Sequence, residues 1–140
     1  TKLFLKDFKK RDKGYILNVA SSAGFMPGPL MATYYASKSY VVNLSEAIYE
    51  ELKKEGSNVS ISVLCPGPVD TEFNRVANVS FAIKGQNSKD VAKYAIKKMF
   101  NEKLIIIPGF KMKVAVFLTR FIPRKILLKI VYKIQRNKNA

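Results

Sequence analysis

The sequence predicts an α/β fold with a parallel sheet, and three observations carry that expectation. Residues 15–20 form a short apolar run of strand length, residues 59–64 form a β-branched one, and residues 33–54 between them carry apolar side chains at helical spacing. Strand, long helix and strand in that order make a βαβ unit, whose strands lie parallel with a right-handed crossover. At 140 residues the chain is large enough for a single core, and no repeat or low-complexity tract interrupts the pattern.

In chain order, Leu3, Phe4, Leu5 and Phe8 with Lys9, Lys10 and Arg11 read as the end of a helix. The chain opens on Thr1 inside that element and is therefore expected to be a truncated sequence. Asp12-Lys13-Gly14 is a turn signal ahead of the first strand, 15–20. Over 33–54, Val41, Leu44, Ile48 and Leu52 form the apolar stripe of an amphipathic helix, with Glu46, Glu50, Glu51, Lys53 and Lys54 on its other faces. Gly56 and Asn58 end that helix, and the second strand follows at 59–64. Ser88 is placed as the cap of a further helix to Phe100, with Val91, Ala95, Ile96 and Met99 apolar. Residues 103–108 read as a last strand, stopped by Pro108-Gly109.

Three motifs sit at the ends of these elements. Ser21-Ser22-Ala23-Gly24 follows the first strand, Tyr34 and Lys38 lie in the helix, and Pro66-Gly67-Pro68-Val69-Asp70-Thr71 follows the second strand. Ser21 and Pro66-Gly67 thus share the sheet edge at which open α/β folds bind ligands. Tyr34 and Lys38 are four apart and lie on one helix face. An ammonium beside a phenol favours phenolate, which brings a tyrosine down from its ordinary pKa near ~10 toward use as a general acid/base at neutral pH. A hydroxyl at Ser21 can bond a carbonyl oxygen that gains negative charge during hydride transfer. Singly, each motif has an ordinary reading, because Tyr-x-x-x-Lys pairs, serines before glycine and Pro-Gly-Pro loops are common. Their conjunction around a strand, a helix and a strand carries the inference.

In this order and spacing the motifs resemble the catalytic half of a short-chain dehydrogenase/reductase, over about residues 1 to 110. The resemblance implies a Rossmann-type doubly wound parallel sheet, represented by its C-terminal part. It also implies an NAD(P)-dependent oxidoreductase that moves a hydride between NAD(P)H and a carbonyl or alcohol. It assigns Ser21, three residues before Gly24, as the carbonyl-polarising serine, with Ser22 in the non-catalytic neighbouring place. Tyr34 becomes the acid/base, since Tyr35 is followed four residues on by Ser39 and not by a lysine. Lys38 would bond the nicotinamide ribose. Pro66, Gly67, Val69 and Thr71 match the loop that packs along the nicotinamide and bonds its carboxamide or the phosphates.

The family's glycine-rich phosphate turn, its Asn-Asn-Ala-Gly stretch and an upstream catalytic Asn find no match in these residues. The cofactor expected is accordingly NAD or NADP, with NADPH slightly favoured. Glu72 to about Gln86 corresponds to a lid over the substrate. Phe73, Val76, Val79 and Phe81 make it apolar, which suits a lipophilic or 3-oxoacyl substrate and equally suits a lid that packs down on itself. Family members commonly pair through the Tyr/Lys helix and the one before it, so a homo-oligomer, dimer or tetramer, is expected.

Lys plus Arg number 25 against 10 acidic residues, a net charge of +15. No acidic residue follows Glu102, and nine cations lie between Lys111 and Lys138. The charge is thus concentrated in a basic amphipathic helical tail, residues 111–140, that follows the sheet-bearing portion, residues 1–110. No nucleic-acid motif or interleaved aromatic pattern accompanies it, so nucleic acid is not an expected partner. In the tail Pro123 can start a helix in which Leu127, Ile130, Val131 and Ile134 form a stripe opposite Lys125, Lys129 and Lys133. Such a helix fits the interface of an anionic membrane or a face of its own domain or of a second subunit. No apolar run reaches the ~20 residues that cross a bilayer. An alternative to an enzyme is a non-enzymatic membrane-surface or protein-interaction module that acts through this tail. Cys65 is the only cysteine, which makes a reducing cytoplasm the simplest setting, and the basic tail adds peripheral membrane contact as an expectation. With no histidine and no clustered carboxylates, no metal site is expected.

Overall fold

A computed structural model describes residues 1–72 and 85–136 of the chain. Helix α1 (Lys2–Arg11) leads through a left-handed Asp12 into β1 (Gly14–Val19), a 3-10 turn (Ser22–Phe25), α2 (Ala32–Lys54) and β2 (Val59–Leu64). Two-residue strands β3 (Val69–Asp70) and β4 (Gln86–Asn87) precede α3 (Ser88–Phe100), β5 (Ile105–Ile106), α4 (Phe110–Leu118) and α5 (Arg124–Arg136).

The crossover expected from the sequence is present. β1 and β2 pair in parallel from Gly14↔Val59 to Val19↔Leu64, with α2 joining them, and β5 adds in parallel to the other edge of β2. Being central, β2 is buried on both faces, as parallel strands between helical layers are. Val59 and Ile61 pack on Ile48 and Leu52 of α2, and Val63 packs with Cys65 against Ala20 and Val42. Leu64 turns the other way, toward Val91 and Ala95 of α3 and Ile106 of β5.

Several details depart from the sequence pattern, each for a local reason. In the first half of α2 the buried positions are Val42 and Ser45, and the expected Val41 and Leu44 are half-buried. A serine is tolerated at a fully buried site because its hydroxyl donates to the Val41 carbonyl (2.7 Å) and accepts from the Asn18 amide (2.9 Å). Asn87, and not Ser88, caps α3: its side-chain oxygen accepts from the backbone N–H groups of Lys89 (2.9 Å) and Asp90 (3.3 Å). The β3–β4 pair, Val69↔Gln86 and Asp70↔Asn87, is too short to leave a periodic trace in sequence. It ties together the two ends of the segment expected to act as a lid, whose Phe73, Val76, Val79 and Phe81 lie outside the described residues.

In the tail, Pro123 opens α5 by accepting from Ile126 (2.9 Å) and Leu127 (3.0 Å). The buried line of α5 is Leu127, Val131 and Gln135, whereas Ile130 and Ile134 of the expected stripe stand in the open. Leu127 and Val131 join Ala23 and Tyr35 in one apolar cluster, so α5 docks on the chain's own domain beside the motif helix. Among the described residues no helix is long and apolar enough to cross a membrane.

Candidate active site

The site begins where β1 and β2 end. Two further backbone bonds continue their pairing, Ala20 N–H to the Leu64 carbonyl (2.8 Å) and Ser22 N–H to the Pro66 carbonyl (2.9 Å), so the serine turn and the Pro-Gly loop lie side by side. Ser21 is extended and caps the 3-10 turn: its Oγ accepts from Ala23 N–H at 3.2 Å and donates to the Pro66 carbonyl at 3.4 Å. The donated bond is at the weak, long end of the range, so the oxygen is held while its proton is free to turn toward a better acceptor.

Gly24 lets that turn lie directly on α2. A Cβ there would meet Val42 Cγ2 at 2.8 Å and the Lys38 carbonyl oxygen at 2.9 Å. Lys38 places its ammonium 5.6 Å from the centre of the Tyr34 ring, and both side chains are half-buried. Tyr34 meets Tyr35 edge to face, ring centroids 5.9 Å apart. The two tyrosines differ in surroundings. Tyr35 is buried over Gly28, and its hydroxyl accepts a hydrogen bond from the side-chain amide of Gln135. Burial pushes its pKa above the ordinary phenol value, only partly countered by the Gln135 bond, and Tyr34 adds to the rise.

A cavity of about 680 Å³ opens over these groups. Ser21, Tyr34, Lys38, Pro66, Gly67, Val69 and Thr71, drawn from three stretches of the chain, all line it. So do Met26, Met31, Met112 and Gln135, which the sequence reading did not single out, and Ser88 and Ile134, which it had placed in a helix cap and in the tail's stripe. The methionines left no local signal. Gln135 did leave one, as the single polar member of a line Leu127, Val131, Gln135 spaced four apart on an apolar face.

Cys65 lies under the floor of the site with 0% exposure. Burial, reinforced by Glu46 and opposed by Lys38, pushes its thiol up to about 12, so it is a packing residue and no nucleophile. Among the described residues no group of three or more Cys, Asp or Glu side chains is arranged to hold a metal ion.

Residues 1–80 match the family model described as short chain dehydrogenase. Over 84 residues the chain is 39% identical to 17-beta-hydroxysteroid dehydrogenase type 3 of Homo sapiens, a match covering 60% of this chain and 26% of that protein. Over 81 residues it is 36% identical to the very-long-chain 3-oxoacyl-CoA reductase of Anas platyrhynchos, covering 58% of this chain and 25% of that one. The matched stretch therefore spans about a quarter of the length of these curated relatives. The crystal structure of a short chain dehydrogenase/reductase from Burkholderia phymatum in complex with NAD, 25% identical, superposes with a TM-score of 0.71 over 84% of this chain and 50% of that one. The parallel sheet with helices on both faces is a Rossmann-type fold, and the chain belongs to the short chain dehydrogenase family.

Proposed function

We propose that this chain supplies the catalytic half of an oxidoreductase that transfers a hydride between NAD(P)H and a carbonyl or alcohol. One observation carries the reading: Ser21, Tyr34 and Lys38 meet the Pro66–Thr71 loop on the wall of a single cavity. A non-catalytic module acting through the basic tail would have no need of that convergence.

The cavity suits the nicotinamide end of a dinucleotide. It is lined by Pro66, Gly67 and Val69, with the Met112 side chain filling the space a Cβ on Gly67 would take, and Lys38 offers an ammonium for ribose hydroxyls. Bound NAD(P)H supplies the hydride. Tyr34 passes its phenolic proton to the carbonyl oxygen. Ser21 turns its hydroxyl from the Pro66 carbonyl to that same oxygen and so stabilises the charge that develops there. Lys38, one helical turn from Tyr34, holds its ammonium 5.6 Å from the centre of that ring. Tyr35, buried and bonded to Gln135, takes no part in the chemistry.

NAD and NADP both fit this end of the site; NADPH remains the slight preference. A lipophilic or 3-oxoacyl substrate is supported by the apolar wall of Met26, Met31, Tyr35 and Ile134, and the relatives above bear names of steroid and long-chain acyl enzymes. We place residues 1–110 as the catalytic portion, 111–140 as the tail, and a homo-oligomer, dimer or tetramer, as the assembly. A cytoplasmic setting accords with the single buried thiol, and peripheral membrane contact with the basic tail. The test is NAD(P)H binding by fluorescence, then NAD(P)H oxidation against a panel of ketones and 3-oxoacyl thioesters, with this chain and with a longer protein made by joining the glycine-rich segment of a family member to its front. Turnover by the longer protein supports the proposal; absence of both binding and turnover in each overturns it.

A further inference from the structure

Helix α5 presents three parallel rows. Leu127, Val131 and Gln135 are buried against the domain; Ile126, Ile130 and Ile134 are 51%, 42% and 50% exposed; Lys125, Lys129 and Lys133 are exposed as well. Each isoleucine precedes a docked residue by one position and follows a lysine by one, and one position is about 100° of turn at 3.6 residues per turn. The isoleucine ridge thus runs between the docked face and the basic row. Its last member does two things at once, because Ile134 is half exposed and also lines the active-site cavity. The ridge therefore ends at the cavity mouth. Helix α4 and the turn after it add more uncovered apolar surface nearby in sequence, with Phe117 and Phe121 stacked edge to face at 5.2 Å and exposed.

We propose that the α5 ridge docks this protein on an anionic lipid surface, with the isoleucines in the acyl boundary, the lysines at the headgroups, and the cavity mouth against the bilayer. Charge selects this occupant over others. Nine cations lie between Lys111 and Lys138 and no acidic residue follows Glu102, so a second copy of the same face would meet like charge. A nucleic acid would take up the lysines and leave the isoleucine ridge in water. An anionic membrane satisfies both rows together. The docking stands on this surface alone; delivery of a lipophilic substrate through the mouth rests on the reductase reading.

The chain contains no tryptophan, so an introduced one is a clean reporter. The experiment is co-sedimentation with vesicles of phosphatidylcholine alone or mixed with phosphatidylserine, followed by quenching of Ile130→Trp and Ile134→Trp by brominated lipid. The expected result is sedimentation with the mixed vesicles only, weakened about tenfold or more in Ile126→Ser/Ile130→Ser and in Lys125→Glu/Lys129→Glu at unchanged melting temperature, with both tryptophans quenched. Equal sedimentation with neutral vesicles, no sedimentation, or indifference to the isoleucine pair overturns the docking. Quenching at position 130 without quenching at 134 overturns the placement of the mouth. No readout uses cofactor or turnover, so an inactive enzyme leaves this inference standing and a failed docking leaves the reductase reading untouched.

Discussion

The side-chain amide of Gln135 donates a hydrogen bond to the hydroxyl of Tyr35 across 100 positions of sequence, and both side chains are buried. The bond joins α5 to the helix that carries Tyr34 and Lys38, and so holds one wall of the cavity. Gln135→Leu leaves the Tyr35 hydroxyl without a donor in a dry site, and Tyr35→Phe strands the amide, each at a cost of about 1–3 kcal/mol. Removing both polar groups together costs much less than the sum, because neither partner is then left unpaired. Urea unfolding of the two single variants and the double variant checks this; additive losses would show that the bond contributes nothing.

The same contact gives the two adjacent tyrosines different surroundings. Tyr35 is buried and its hydroxyl is engaged, whereas Tyr34 is half-buried beside the Lys38 ammonium. In the NAD(P)H-dependent reduction proposed above, Tyr34→Phe is expected to lower kcat by about 10²–10⁴-fold with cofactor binding retained, the usual span for losing a general acid. Tyr35→Phe is expected to lose stability and keep most of its turnover. Steady-state rates with fluorescence titration of NADPH decide the matter, and near-normal turnover in Tyr34→Phe would refute the assignment.

How much of this was legible in the sequence follows from the range of each interaction. Tyr34 and Lys38 are one helical turn apart, and Ser21 and Pro66 each sit just past a strand end, so spacing alone places the first pair on one helix face and the second on one edge of the sheet. The βαβ core follows from the same local periodicities. Long-range contacts were not legible. Gln135 reads as a polar residue on a surface helix until its partner is known, and Met26 and Met31 share a cavity wall with Met112 only because two distant stretches of the chain converge. The displacement of the α2 stripe to Val42 and Ser45 depends on Asn18 reaching across from β1, which helical periodicity does not encode. The two-residue strands β3 and β4 carry no period at all.

Gly24 is where the serine turn and the motif helix touch. A methyl group there would press on the Val42 side chain and on the Lys38 backbone carbonyl, and the backbone contact cannot be relieved by a rotamer change. Gly24→Ala is expected to destabilise by about 1–3 kcal/mol, the usual cost of overpacking, and to move Ser21 away from Tyr34. A thermal melt reports the first effect. A fall in kcat beyond that explained by unfolded protein reports the second, and wild-type values for both would mean that the turn can shift without cost.

Asp12 ties the end of α1 to the start of β2. Its carboxylate accepts from the Asn58 backbone N–H (2.9 Å), the Ser57 hydroxyl (2.9 Å) and the Asn58 side-chain amide (2.6 Å). These bonds, that from the Asn58 backbone foremost, hold its pKa below the ordinary carboxylate value, with a small opposing contribution from burial. A folded-state pKa below the unfolded value, near ~3.9, stabilises the fold fully above the unfolded pKa, and that stabilisation is lost as pH falls through the folded one. Asp12→Asn keeps the shape and much of the tolerance for the left-handed backbone found here (φ 46°), but has no charge to titrate. Wild type should therefore be the more stable of the two from pH 5 to 8, and the gap should close as the pH drops below about 4. Because the donors are neutral groups and no cation is among the partners that lower this pKa, added salt should leave most of the gap in place. Denaturant midpoints measured for both proteins across that range test the claim, and a gap that persists unchanged to pH 2 would show that the carboxylate's charge is not what stabilises this corner.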